Sequence, residues 1–244
     1  MQQKWPIQLR KQILFLLFLM LLLPGKNANC QETILAKEVT HKVQDYLQQV
    51  QLEPQKNMFE LHQLMPGLVY DLRYATLNNF MQRHMYPKKT AITFLRKPAA
   101  LALQQVQKSL LKKGLGLKIF DAYRPYAVTV KFWELVHDER YVANPKNGSG
   151  HNRGVAVDLT IIDKKTNKEL NMGTGFDNFT DSAHQAFNQL PEAILQNRKL
   201  LKTTMEQYGF KAYENEWWHY SWSDSIHYEI LDLPFKKLKK ITGE

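Results

Sequence analysis

The run Val155-Ala156-Val157-Asp158-Leu159-Thr160-Ile161-Ile162 constrains the fold of this chain more than any other segment. Its β-branched, apolar character is that of a buried strand, yet Asp158 stands in the middle of it. A carboxylate in such surroundings is expensive unless it is paired or bound to a metal. Just upstream, Ser149-Gly150-His151-Asn152-Arg153-Gly154 presents an imidazole in a glycine-rich bend. Gly154 permits a sharp backbone path, so His151 and Asp158 can face one point.

A second segment, Glu214-Asn215-Glu216-Trp217-Trp218-His219, adds another imidazole and another carboxylate. Glu216 and His219 are three apart, which puts them on opposite faces of a regular strand but on one side of a helical turn. A turn or bulge near Trp217-Trp218 is therefore required if both serve one site. Together the two segments offer two imidazoles and a carboxylate as ligands and a second carboxylate as a base. That is the donor set of a catalytic zinc, which takes three protein ligands and keeps one position for water. A metal so held lowers the pKa of its water to about 7, within reach of a neighbouring carboxylate base. Each residue also has a plainer alternative: an exposed loop histidine for His151, a hydrogen-bonded core histidine for His219, and a partner in Arg153 or a backbone amide for Asp158. The combination favours the metal.

The rest of the chain reads as a mixture of helices and strands. Val39, Val43, Tyr46, Leu47 and Val50 recur at helical spacing, and Leu68 to Tyr74 alternates as a strand. Helices are expected from Pro98 to Gly114, after Pro125, and from Pro191 to Gly209, with proline near each start. Strands are expected at Leu117 to Phe120, Val155 to Ile162, Phe210 to Tyr213 and Trp217 to Trp222, and a loop at Asn144 to Gly150. No regular βα alternation joins them, so the expected class is α+β, with a mixed, largely antiparallel sheet flanked by helices.

The first 30 residues fall outside this fold. Lys4, Arg10 and Lys11 precede 11 apolar residues, Ile13 to Leu23, and Pro24-Gly25 closes the run. Spanning a bilayer takes about 20 residues, so the pattern predicts a signal peptide cleaved near residues 28 to 30. The expected location is periplasmic or extracellular, with the single cysteine, Cys30, a candidate for lipid attachment. Residues 31–244 are then a single domain without disulfides, held by its core and helped by a bound metal. The leader contributes four cations and no acid to a net charge of +10. The run Lys236-Lys237-Leu238-Lys239-Lys240 is expected to be a basic, solvated C-terminal tail. No motif points to nucleic acid.

Five ordered blocks carry a resemblance: Asp71-Leu72-Arg73-Tyr74-Ala75-Thr76 with Asn79-Phe80, Asp121-Ala122-Tyr123-Arg124-Pro125, Ser149 to Asp158, Met172-Gly173-Thr174-Gly175-Phe176-Asp177, and Glu216-Trp217-Trp218-His219-Tyr220. From about Leu68 to Pro234 the chain resembles the D-alanyl-D-alanine dipeptidases, zinc peptidases related to D,D-carboxypeptidases of the bacterial cell wall. The resemblance implies a zinc D,D-peptidase-like fold and one Zn2+ per chain on His151, Asp158 and His219, with Glu216 as general base. It also implies that Arg124 stabilises the oxyanion, where the alternative is a loop salt bridge with Asp121. Tyr74 and Asp177 match positions near the substrate's free amine, and Ser149 one near its other end; Trp217 and Trp218 are expected to pack in the core. The implied substrate is a small D,D-dipeptide. A D,D-carboxypeptidase or endopeptidase acting on longer cell-wall peptides is the first alternative. A zinc-containing peptide-binding module is the second, and a base such as Glu216 argues against it.

Overall fold

The computed structural model describes residues 36, 38–224 and 226–242. The signal peptide expected over residues 1–30, including Cys30, lies outside the described residues.

In chain order the elements are β1 (Val39–Thr40), α1 (Val43–Leu52), β2 (Met58–Glu60), α2 (Leu61–Leu64), β3 (Val69–Tyr70), β4 (Phe94–Arg96), α3 (Lys97–Leu111), β5 (Leu115–Asp121), α4 (Tyr126–Val136), α5 (Gly150–Arg153), β6 (Ala156–Asp163), α6 (Glu192–Gln207), β7 (Phe210–Ala212), β8 (His219–Trp222), β9 (Ile230–Leu231) and α7 (Phe235–Thr242). The main sheet has the order β3-β5-β6-β8-β7. Only β3 and β5 run parallel; the other three ladders are antiparallel. The α+β class with a largely antiparallel sheet is what the pattern predicted. Two short pairs, β1 with β9 and β2 with β4, lie outside the main sheet.

β6 is the centre of the sheet. Flanked by β5 and β8, it has every residue from Ala156 to Ile162 buried, which accounts for a largely apolar run that only Asp158 and Thr160 interrupt. α3 buries Ala99, Ala100, Leu103, Val106 and Leu110 on one face, and Gln107 Oε1 accepts the Leu117 amide at 2.8 Å, tying helix to strand. α6 buries Arg198, Leu201, Thr204 and Met205. It stops at Gly209, whose φ of +89° and approach to Trp222 (2.8 Å from an added Cβ) leave no room for a side chain.

Four expectations are corrected. The helix expected from Val39 begins at Val43, because Val39 and Thr40 pair with Ile230 and Leu231, partners nearly 200 residues away that periodicity cannot reveal. The strand expected over Leu68 to Tyr74 is confined to Val69–Tyr70; Arg73–Ala75 forms a 3-10 turn, with Arg73 Nε on Asp71 Oδ2 at 2.7 Å. The strand expected from Trp217 starts at His219. The basic tail is not a solvated tail but the helix α7: Phe235 and Leu238 are buried, and Lys236, Lys237, Lys239 and Lys240 occupy the exposed face. Phe235 packs edge-on to Tyr86 and Tyr123. Four lysines masked an amphipathic period carried by Phe235, Leu238 and Ile241.

Candidate active site

Register across the sheet builds the site. Asp158 on β6 pairs with Asp121 on β5 and with His219 on β8, so three polar residues form one row across three neighbouring strands. A bulge between Ile119 and Asp121 re-aims the end of β5. His219 reaches the row because the chain turns just before β8, where its amide donates to Glu216 O at 3.3 Å. This is the turn that the Glu216 to His219 spacing demanded, and it brings Glu216 Oε2 to 3.9 Å from His219 Nδ1.

His151 arrives from α5, a single turn closed by a capping box. Ser149 Oγ accepts the Asn152 amide at 3.2 Å and Asn152 Oδ1 accepts the Ser149 amide at 2.9 Å. Gly154 then reverses the chain at φ +70°, with Met58 so close that an added Cβ would lie 2.7 Å from its sulfur. The His151 ring is fixed by Ala122 O, 2.7 Å from Nδ1. A carbonyl only accepts, so Nδ1 carries the proton and Nε2 presents its lone pair to the site. Nε2 lies 3.4 Å from Asp158 Oδ2 and 3.3 Å from His219 Nδ1, which is itself 2.9 Å from Asp158 Oδ1.

One donor atom from each of His151, Asp158 and His219 lies within 4.8 Å of the others. Two imidazoles with one carboxylate, one ring held from behind by a carbonyl, are suited to a divalent ion such as zinc. Burial opposes ionisation of Asp158, yet the two imidazoles outweigh it and hold the carboxyl well below the usual range. Burial also disfavours a charged His219, but its bond to Asp158 leaves its pKa raised. Burial raises Glu216 despite the nearby histidines. That tendency suits a group that must take up a proton.

All eight residues singled out from the sequence line one cleft: Tyr74, Arg124, Ser149, His151, Asp158, Asp177, Glu216 and His219. Arg124 makes the Asp121 salt bridge raised as its alternative, with Nε and Nη2 at 3.0 and 2.8 Å from Oδ2. It nevertheless borders the cleft, its guanidinium 5.2 Å over the Tyr74 ring. The pair is buried rather than an exposed loop contact. Tyr74 donates to Asp177 Oδ1 at 3.0 Å. Asp177 holds φ at 59°, and its Oδ2 is buried without a partner. Burial, reinforced by Asp158, pushes this carboxyl well above its ordinary pKa. Trp217 and Trp218 are core residues as expected, although Trp218 also lines the cleft.

Sequence reasoning named Asp121 only as the alternative partner of Arg124 and missed other contributors. Fully buried, Asp121 anchors Arg124 and accepts from Tyr86 Oη; its position at the end of an apolar strand is the same signal that exposed Asp158. Asn152 Nδ2 donates to Arg124 O at 2.9 Å and Thr129 Oγ1 at 2.8 Å, joining α4 to the histidine turn. Phe80, Phe132, Tyr141 and Phe179 form an aromatic wall to which no local pattern points.

Residues 54–240 match the family model described as D-Ala-D-Ala dipeptidase, peptidase M15. The chain is 34% identical over 174 residues to the D-alanyl-D-alanine dipeptidase of Escherichia coli (strain K12), covering 71% of this chain and 89% of that protein. It is 30% identical over 193 residues to the D-alanyl-D-alanine dipeptidase of Enterococcus faecalis, covering 72% and 92%. Identity to that of Streptomyces coelicolor is 30% over 194 residues, covering 70% and 95%. A match across the whole site-bearing region, joined to relatives covered nearly end to end, makes this chain a hydrolase that belongs to the D-Ala-D-Ala dipeptidase family of M15 peptidases.

Proposed function

We propose that the chain hydrolyses free D-alanyl-D-alanine to D-alanine, with His151, Asp158 and His219 holding one zinc ion. The observation that carries this reading is the meeting of those three donors within 4.8 Å, with Glu216 beside them in the cleft that Arg124 borders. Bound zinc supplies Lewis acidity and lowers the pKa of water to about 7. Glu216 takes the proton of the attacking water on a carboxylate oxygen and passes it to the leaving amine; burial raises its pKa toward that task. Arg124, held in place by Asp121, donates to the carbonyl oxygen as negative charge develops there.

In the same cleft, Asp177 and Tyr74 receive the substrate's ammonium group. Asp177 Oδ2 is buried and unpaired, so a cation placed against it restores a missing partner. Ser149 lies toward the substrate's other end. The cationic and then apolar sequence of residues 4–23 supports export and action outside the inner membrane, on dipeptide in the periplasm or beyond.

Mass-spectrometric assay of the zinc-loaded enzyme against D-Ala-D-Ala, L-Ala-L-Ala and a wall pentapeptide tests the reading. Cleavage of the free D,D-dipeptide with little loss of terminal D-alanine from the pentapeptide is expected. Preference for the all-L substrate, or equal turnover of the pentapeptide, would overturn the assignment.

A further inference from the structure

Arg198 sits on α6 and is only 5% exposed. A guanidinium keeps its charge at any accessible pH, so burying one requires compensation, for which a carboxylate is the common choice. Arg198 has none among the described residues. It donates instead to three carbonyls: Nε to Met172 O at 2.7 Å, Nη2 to Ser182 O at 2.8 Å and Nη1 to His184 O at 3.2 Å.

Those carbonyls belong to the two ends of one loop, residues 172–184, so a single side chain clasps its base. Other contacts reinforce the clasp. Asn197 Nδ2 donates to Asn171 O at 2.9 Å. Gly173, at φ +86°, lies so close to Ile194 of α6 and to Leu190 just before the helix that an added Cβ would stand 3.2 and 3.1 Å from them. The Trp217 amide also donates to Ala183 O at 3.0 Å and its indole to Thr174 Oγ1 at 2.8 Å.

The loop carries Asp177, bonded to Tyr74, and Phe179, packed against Phe80 and Tyr141. Asp177 and Phe179 both line the cleft, so the loop forms its wall at the proposed ammonium position. A longer peptide has an acylated nitrogen there and a chain that must continue through this wall. We infer that Arg198 is a positioning residue that holds loop 172–184 shut across the amine end of the cleft, and thereby sets the preference for a free dipeptide over longer peptides. This inference rests on the dipeptide reading given above. Lysine at 198 would keep the charge but cannot fork to three carbonyls, so Arg198→Lys releases one end of the loop.

The test compares zinc-loaded wild type, Arg198→Lys and Gly173→Ala, the last straining the base of the loop at its positive φ and its contact with Leu190 and Ile194 without touching the guanidinium. Readouts are kcat and KM for D-Ala-D-Ala, turnover of a pentapeptide ending in D-Ala-D-Ala, zinc content, and hydrogen exchange of residues 172–184. For Arg198→Lys, KM is expected to rise about tenfold with kcat held within about threefold. The pentapeptide-to-dipeptide ratio of kcat/KM should rise about tenfold, exchange in the loop should quicken, and zinc should stay at one per chain. Gly173→Ala should show the same pattern, and it decides alone if Arg198→Lys does not fold. Wild-type selectivity in a variant whose loop exchanges faster overturns the inference. So does a parallel loss of zinc and of both activities, which would mark a mere scaffold residue. A wild-type enzyme that cleaves both substrates equally overturns the dipeptide reading and the selectivity role together, and loop exchange then judges the clasp by itself.

Discussion

Asp158 and His219 are direct cross-strand partners on β6 and β8, with Nδ1 of the imidazole 2.9 Å from Oδ1 of the carboxylate. Two neighbouring strands of a sheet thus hold two of three proposed ligands, and only His151 comes from outside the sheet, on the single turn of α5. Strands place side chains more rigidly than loops do, and a metal site tolerates little misplacement. Asp158→Asn preserves volume and removes the charge. Zinc affinity should fall by more than about 100-fold, beyond the loss typical of an outer-shell partner. Titration with zinc followed by elemental analysis reads this directly, and a full complement of tightly held metal in the variant would remove Asp158 from the ligand set.

Glu216 approaches His219 Nδ1 only to 3.9 Å and makes no hydrogen bond with its carboxylate among the described residues, as suits a group kept for proton transfer. Glu216→Gln should therefore bind zinc at the wild-type level and lose about 10²–10⁴ in kcat. Near-normal turnover in a metal-loaded variant would disprove the role of base.

The parts of the fold legible in the sequence are those written locally. Asp158 stood out against the apolar run around it, and the Glu216 to His219 interval required the turn that the backbone makes. α3 and α6 announced themselves by period and by Pro98, Pro191 and Gly209. What stayed hidden depends on contacts between distant segments. The β1–β9 pair joins Val39 to Ile230, and strands of two residues carry too few positions to show alternation. Arg198 reads as an ordinary helical cation, and only the folded loop shows that its partners are carbonyls. Asp121 was visible as a partner for Arg124, but its place in the row with Asp158 required the register of two strands and a bulge.

That row gives Asp121 a role apart from the metal. It accepts two bonds from Arg124 and one from Tyr86, all in the interior. Asp121→Asn leaves Arg124 as a buried cation without its counter-charge, a change expected to cost about 3–5 kcal/mol of stability. Arg124→Lys retains a cation for Asp121 but loses the planar fork. Its main effect should be a fall of about 10²–10³ in kcat, with zinc content unchanged. Denaturant unfolding separates the two: Asp121→Asn should shift the midpoint far more than Arg124→Lys, and equal shifts together with an unchanged kcat for Arg124→Lys would mean that Arg124 serves stability alone.

Asp177 should show the opposite balance of stability and function. Burial, with Asp158 nearby, raises its pKa in the folded enzyme, whereas an unfolded chain titrates it near 3.9. Below that pH both states carry the proton and the site costs nothing. As pH rises, the unfolded state ionises first, so stability is lost from about pH 4 up to the raised folded pKa and stays lost above it. Asp177→Asn removes this titration and can still accept from Tyr74 Oη through its side-chain oxygen. In the substrate-free enzyme its Tm should match wild type near pH 4 and exceed it increasingly toward neutrality. Comparing the two proteins at each pH cancels the titrations they share. The same variant has no charge to offer an ammonium group, so KM for the dipeptide should rise while kcat changes less. A variant less stable than wild type at pH 7, with unchanged KM, would show Asp177 to be a structural carboxylate rather than one held unpaired for the substrate.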